Sequence, residues 1–189
     1  MKLGFLTAPF PETPLMEVAD WAAEAEFEVL EIACWPMSGG VKRKYAGTAH
    51  IDVAGLTEAQ AGEIKAQIAD KGLDISGLGF YPNPLHPDLD VRQAAIEHLK
   101  AVIVATGKMG LPVTNTFCGG DASKNVDENW EEALKVWPDI VKFAQDHGVK
   151  LTFENCPMIF SYDEWPGGHN IAYSPYIWRR ILEEWGGTV

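Results

Sequence analysis

Residues 148–158, GVKLTFENCPM, have the pattern of a buried strand that ends on polar side chains. From Val149 to Phe153 apolar residues alternate with polar ones, which is the period of a β-strand. Glu154 follows at the point where the apolar run stops, and an amide and a thiol come directly after it. The type of sheet that contains this strand determines whether the carboxylate is structural or chemical.

The rest of the chain repeats one unit, a short apolar strand followed by a longer amphipathic helix. Strands are predicted at residues 3–7, 29–33, 73–80, 113–117 and 149–153. Helices are predicted to start with Thr13 as cap and Pro14 at the first helical position, with a capping box at Thr57 and Gln60, around Asp88 or Asp90, after Asn125, and near Pro175. This alternation is typical of a parallel sheet covered by helices.

Two closures of such a sheet are possible, an open doubly wound sheet or a (β/α)8 barrel. The open sheet usually carries a glycine-rich turn after its first strand, and residues 7–14, TAPFPETP, contain no glycine. We therefore predict an α/β fold of the (β/α)8 TIM barrel type with about the first five βα units present.

The length sets a limit on this barrel. A complete barrel takes about 250 residues, and this chain has 189. Residues 187–189 resemble the first residues of a sixth strand, so residues 1–189 are predicted to form a single partial barrel domain of a longer protein. The alternative is a complete five-stranded α/β domain. A free partial barrel would expose an unpaired strand edge, which favours aggregation.

Composition excludes some classes of partner. With 47% hydrophobic and 22% charged residues the chain is typical of globular proteins. Its formal net charge of −12 disfavours binding to nucleic acid or to a membrane surface. Cys34, Cys118 and Cys156 form an odd set without CxxC spacing, which favours a reducing, cytoplasmic location. The residues leave the oligomeric state open, and a homo-oligomer is among the alternatives.

The carboxyl ends of parallel strands are where ligands bind in both sheet types. The predicted strand ends supply carboxylates, amides, thiols, a histidine and aromatic rings, namely Thr7, Glu31, Cys34, Trp35, Tyr81, Asn83, His86, Asn115, Thr116, Cys118, Glu154, Asn155 and Cys156. The chain has no GxSxG elbow, Walker loop or HExxH helix, which leaves metal or acid–base chemistry. Glu154 alone could also be a structural acid, and Glu31 could point into the barrel or toward a helix.

Several segments together resemble the xylose-isomerase-like barrel superfamily. They are KLGFLTAPFP (2–11), VLEIACWP (29–36), GLGFYPNPLHPD (77–88), NTFCGGD (115–121) and FENCPM (153–158). The resemblance covers essentially the whole chain as the first five-eighths of a barrel. That superfamily contains sugar and sugar-phosphate isomerases and epimerases, inosose dehydratases and a DNA-repair endonuclease branch.

The resemblance implies a divalent cation (Mn, Mg, Zn or Co) at the barrel mouth. Glu154 matches the glutamate that closes strand five, so the resemblance makes it a metal ligand and a catalytic proton carrier, while the other ligands would lie beyond Val189. Predicted substrate-binding residues are Trp35, Tyr81, His86, Asn155 and His169, and Trp165 is a further aromatic candidate. One ligand does not complete a metal site, so the 189-residue chain by itself is predicted to be inactive.

The function expected from the resemblance is metal-dependent isomerisation or epimerisation of a small sugar, sugar phosphate or keto-sugar through an enediolate. An inosose-type dehydratase on the same metal site is the alternative enzyme. The endonuclease branch is disfavoured because it expects more histidines and a basic groove. A non-catalytic binding module or an inactive barrel fragment remains the non-enzymatic alternative.

Overall fold

The computed structural model describes residues 1–37, 46–158 and 169–189. In these residues five strands alternate with five helices, as the alternation predicted. The elements are β1 (Gly4–Leu6), α1 (Leu15–Glu24), β2 (Val29–Ala33), α2 (Glu58–Asp70), β3 (Asp74–Gly79), α3 (Leu89–Lys108), β4 (Val113–Thr116), α4 (Val126–Asp146), β5 (Lys150–Phe153) and α5 (Pro175–Trp185).

The five described strands form one parallel sheet in the order β1-β2-β3-β4-β5. Each strand pairs with the next one along the chain, and a helix connects each pair. This sequential order confirms the predicted α/β fold and differs from a doubly wound sheet, in which the strand order reverses at a switch point. All five carboxyl ends consequently lie at the same edge of the sheet.

The helix starts follow local capping chemistry. Thr57 with Gln60, and Asn125 with Glu128, both form complete capping boxes. The prediction for α1 was wrong by one residue, because Pro14 has the extended angles φ −57° and ψ 145° and serves as the N-cap, with no side-chain cap bond. The first helical residue is therefore Leu15.

The hydrophobic core lies between the sheet and the helices. In α4, Trp130, Trp137 and Val141 are buried as expected, whereas Leu134 is 38% exposed and does not join the core. The ring of Trp137 packs against Phe153 of β5 at a centroid distance of 4.6 Å. The predicted kink site at Pro138 is accommodated within a continuous helix.

The segment predicted to begin a sixth strand is a turn in the structure. It nevertheless lies beside β5, because the backbone N–H of Leu151 donates to the carbonyl of Thr188 at 2.8 Å. No helix among the described residues is long and apolar enough to cross a bilayer.

Candidate functional site at the carboxyl ends of the strands

The sheet has one face against the helices and an opposite face that we call the inner face. Phe153 packs on α4, and Thr114 Oγ1 lies 2.8 Å from Thr106 Oγ1 of α3, so both side chains are on the helix side. Because side chains alternate along a strand, Thr152 and Asn115 must point to the inner face. The structure confirms this by joining these two side chains in a hydrogen bond.

A line of hydrogen bonds crosses the inner face. The Thr152 hydroxyl donates to Asn115 Oδ1, the Asn115 side chain bonds to Glu31, and the Tyr81 hydroxyl donates to Glu31 Oε1. Burial raises the pKa of Glu31, and the hydrogen bonds from Tyr81 and Asn115 partly offset this rise. The open question about Glu31 is thereby resolved, since its side chain points to the inner face.

Two glycines make room for this line of polar groups. A Cβ at Gly79 would overlap Glu31 Oε1 and lie 3.1 Å from both Tyr81 Cε2 and Leu6 Cδ1. A Cβ at Gly77 would lie 2.6 Å from the Val113 carbonyl oxygen and 3.3 Å from Asn115 Nδ2. The glycines of β3 therefore admit the polar side chains of the neighbouring strands.

Glu154 is the first residue after β5, and its backbone extends the sheet ladder by donating to the Thr116 carbonyl at 2.9 Å. By alternation it follows Thr152 on the inner face. Its side chain is exposed, yet partial burial, followed by the negative charge of Glu31, raises its pKa. Two carboxylates with raised pKa thus lie within electrostatic reach of each other, an arrangement suited to proton transfer.

A side chain from a distant segment fixes the backbone of this strand end. Asn170 Nδ2 donates to the carbonyl oxygens of Glu154 at 2.9 Å and Cys156 at 3.0 Å. Asn170 is buried, so these bonds are shielded from water. They hold the chain after β5 in one path and thereby orient Glu154.

The two predicted aromatic residues lie together at the mouth. Trp35 and Tyr81 are 8% and 7% exposed, and their rings are 5.9 Å apart at 37°. Tyr81 also packs on Phe117 at 5.0 Å. Burial, then the charge of Glu31, raises the pKa of Tyr81, so its phenol stays protonated and donates to that carboxylate.

The remaining predicted site residues lie in the loops that follow the strands. His86 Nδ1 accepts from the backbone N–H of Asp88 at 3.1 Å, which places its ring at the start of α3. Asn155 is exposed next to Glu154. Trp165 falls outside the described residues, and the substrate-binding roles stay predictions.

His169 lies over the β4–α4 loop, where a Cβ on Gly120 would be only 2.5 Å from its Cδ2 atom. Burial lowers the pKa of His169, while the negative charge of Asp121 opposes this. Hydrogen bonds from the hydroxyl and backbone N–H of Ser123 lower the pKa of Asp121 in turn. The structure therefore brings His169 to the carboxyl edge of the sheet.

The sequence placed Glu31 and Asn115 at strand ends without giving them a role, and it gave no attention to Gly79. A signal for them exists, because Gly77, Gly79 and Tyr81 share one parity at the end of β3, opposite Glu31 in the neighbouring strand. Two small residues facing a carboxylate indicate space reserved for it.

The described residues offer the kind of ligand atom that a divalent cation binds, but too few of these side chains lie together to complete a site. Carboxylate oxygens are ligands that Mg²⁺ and Mn²⁺ prefer, and Glu154 offers them at the exposed edge. Across residues 1–37, 46–158 and 169–189, however, no group of three or more His, Cys, Asp or Glu side chains could hold a metal ion. The described residues therefore hold no complete site of this kind, and Glu154 as a metal ligand stays a prediction.

Comparisons with solved structures show the same fold. The chain matches D-psicose 3-epimerase from Clostridium cellulolyticum H10 with a TM-score of 0.60 and 20% identity, covering 87% of this chain and 54% of that one. It matches the probable 3-DHS dehydratase AsbF from Bacillus anthracis with a TM-score of 0.60 and 17% identity, covering 83% and 53%. Protein SMc04130 from Sinorhizobium meliloti 1021 gives a TM-score of 0.65 at 19% identity, covering 100% and 61%.

The coverage and the identity values limit what these matches show. The chain spans about half the length of the first solved structures that it matches. Identities of 20% or less establish the fold and leave the reaction open. A search among curated proteins gave no match.

The sequence itself carries the family assignment. Residues 19–185 match the family described as xylose isomerase-like TIM barrel, which is most of the chain. The sequential parallel sheet and the polar carboxyl edge agree with that match. The chain belongs to the xylose isomerase-like TIM barrel family.

Proposed function

We propose that this chain is part of a metal-dependent isomerase or epimerase of a small sugar, sugar phosphate or keto-sugar, with residues 1–189 forming one partial barrel domain. The observation that carries the proposal is the pairing of two carboxylates, Glu31 and Glu154, on the inner face at the carboxyl edge of the sheet. Two of the matched structures are D-psicose 3-epimerases, one solved with D-tagatose and the other in the presence of D-fructose.

In this proposal Glu154 removes a proton from the carbon next to the substrate carbonyl and returns it to the enediolate. A carboxylate with a raised pKa is a better base near neutral pH than an ordinary one, because its conjugate acid is weaker. Glu154 would also supply one ligand to a Mn, Mg, Zn or Co ion, whose charge would stabilise the enediolate. Asn170 keeps the base in place through the Glu154 carbonyl.

The substrate would lie against the aromatic rings of Trp35 and Tyr81, whose apolar faces suit the C–H side of a sugar. His169 and Asn155 would bond sugar hydroxyls from the loop after β5, and His86 from the loop after β3. A small carbohydrate is therefore the proposed partner, rather than a nucleic acid or a membrane. We further propose a cytoplasmic location and a homo-oligomer.

An inosose-type or 3-DHS-type dehydratase is the second candidate, because a probable 3-DHS dehydratase has the same fold over 83% of this chain. Both reactions begin when a base removes the proton next to a carbonyl. They differ in whether a β-hydroxyl then leaves.

The test is solvent deuterium exchange by the protein expressed from its complete reading frame, with Mn²⁺ and D-fructose, D-psicose or 3-DHS in D₂O. We expect deuterium next to the carbonyl of a sugar, and a loss of about 10²–10⁴-fold in Glu154→Gln. Glu183→Gln, an exposed carboxylate on α5, is the matched control and should exchange normally.

Three results would contradict the proposal or change it. Absence of exchange with every sugar would refute it, and water loss from 3-DHS would favour the dehydratase. Turnover by the 189-residue chain alone would contradict its predicted inactivity.

A further inference from the structure

In the proposed reaction Glu31 acts only through its charge on Glu154, and its own hydrogen bonds have no role there. Its carboxylate accepts a hydrogen bond from the Tyr81 hydroxyl and another from the Asn115 side chain. Leu6 of β1 lies beside Gly79, whose missing side chain leaves the space that the carboxylate occupies. The two hydrogen bonds and this confined space restrict the orientation of the Glu31 carboxylate.

The direction of each bond follows from the chemistry of the partners. Asn115 Oδ1 accepts from the Thr152 hydroxyl, so the amide NH₂ group remains to donate toward Glu31. Tyr81 has one hydroxyl proton, and it is used in the hydrogen bond that the hydroxyl donates to Glu31. The Tyr81 oxygen is therefore left with acceptor lone pairs, which could receive a hydrogen bond from a sugar hydroxyl.

We propose that Glu31 is a positioning residue, which holds the Tyr81 hydroxyl as a hydrogen-bond acceptor for the substrate and so sets substrate affinity. This inference rests on the proposed function, because it assigns Tyr81 to the substrate-binding wall. Glu31 acts through Tyr81 and does not itself touch the substrate.

The packing of the Tyr81 ring supports this assignment. Trp35 and Phe117 contact the ring at centroid distances of 5.9 and 5.0 Å, so the ring is confined, and rotation of the O–H group about the C–O bond is the freedom that the bond to Glu31 removes. The bond to Glu31 places the hydroxyl on a fixed side of the carboxyl edge. Gly79 provides the space in which the carboxylate lies.

The test combines Glu31→Leu, Tyr81→Phe and the double variant. Leucine is close to glutamate in size but has no acceptor oxygen, so the Tyr81 hydroxyl loses its partner. Phenylalanine keeps the ring and removes the hydroxyl. Tyr173→Phe, at an exposed tyrosine, is the matched control.

The first readout is kinetic, on the protein from the complete reading frame with Mn²⁺ and D-psicose. Loss of one hydrogen bond should raise KM about tenfold in each single variant, with kcat changed less than about threefold. The double variant should resemble the more affected single variant, because both changes remove the same interaction. An unchanged KM, or a fall in kcat alone, would overturn the inference.

The second readout does not depend on substrate. It is the urea unfolding midpoint of the wild type, the two single variants and the double variant. Coupling predicts that the double variant unfolds at the midpoint of the weaker single variant. If the wild-type protein turns over no sugar, the proposed function fails on its own. Coupled midpoints would then still support Glu31 as the residue that positions Tyr81, and additive midpoints would overturn it.

Discussion

Replacing Gly79 by alanine should destabilise the protein because the new methyl group occupies the space of a carboxylate. The added Cβ would overlap Glu31 Oε1 and lie 3.1 Å from Tyr81 Cε2 and Leu6 Cδ1. Gly79 is the last residue of β3 and pairs with Ala33 on one side and Asn115 on the other, so its backbone cannot easily move away. The Glu31 side chain has to move instead.

The magnitude follows from two losses. Moving Glu31 breaks its hydrogen bond with Tyr81, and a bond to a charged group contributes about 1.5–3 kcal/mol. Overpacking a filled site costs about 1–3 kcal/mol. Since the two effects overlap, we expect the free energy of unfolding to fall by about 2–5 kcal/mol.

Urea unfolding followed by circular dichroism measures this change. With a slope of about 2 kcal/mol per M, the midpoint should fall by about 1–2.5 M. Gly62→Ala is the matched control, because Gly62 is exposed inside α2 with no atom within 4 Å of its added Cβ. That substitution should instead stabilise the helix by about 0.5–1 kcal/mol. A Gly79→Ala protein as stable as the wild type would refute the placement of Glu31 against Gly79.

Two further predictions concern the loops at the carboxyl edge. Burial lowers the pKa of His50, whose Nδ1 lies 2.8 Å from Thr7 Oγ1, so the unfolded chain binds the extra proton and stability should fall as pH drops below about 6.5. His50→Gln should reduce the difference between urea midpoints at pH 7.5 and 5.5, and an undiminished difference would contradict this. Asn170→Ala should cost about 1–3 kcal/mol, because it leaves two carbonyls without their bonds. Asn155→Ala, at an exposed amide, should stay within about 0.5 kcal/mol of the wild type, and equal midpoints for both variants would argue against the Asn170 anchor.

The repeating elements could be predicted from sequence because their signals are local. The capping box at Thr57 needs only residues three apart, and each strand is a short apolar run between helices. Sequential parallel pairing then follows from the alternation of strands and helices. The assignment of Glu154 to the carboxyl edge needs no more than the end of its own strand.

The direction of Glu31 could not be predicted because both faces of its strand are shielded. Residues 29–33, VLEIA, lack the polar–apolar alternation that marks a half-buried strand. The pairing of β2 with β3 also shifts in register between Leu30 and Glu31, where Ser76 is an extra residue. Counting residues from one strand to the next therefore gives the wrong partner for Glu31.

The contacts that complete the carboxyl edge are long-range and left no local pattern. Asn170 reaches back 16 residues to the Glu154 carbonyl, and His169 lies against Gly120 in another loop. Sequence indicated that His169 belongs to the site only through the family resemblance. The structure places His169 against Gly120, which lies 49 residues earlier in the sequence.

The composition of the inner face argues for chemistry rather than stability. Barrel interiors are mostly filled by branched apolar side chains in layers, whereas here β2 to β5 contribute a carboxylate, two glycines, an amide and a hydroxyl at these positions. Burying polar groups costs free energy unless each finds a partner, and glycine in a strand adds a further entropic cost. The line from Tyr81 through Glu31 and Asn115 to Thr152 supplies those partners and ends two residues before Glu154. An arrangement that gives up apolar packing to hold a phenol and two carboxylates at one edge supports the proposal that a substrate binds there.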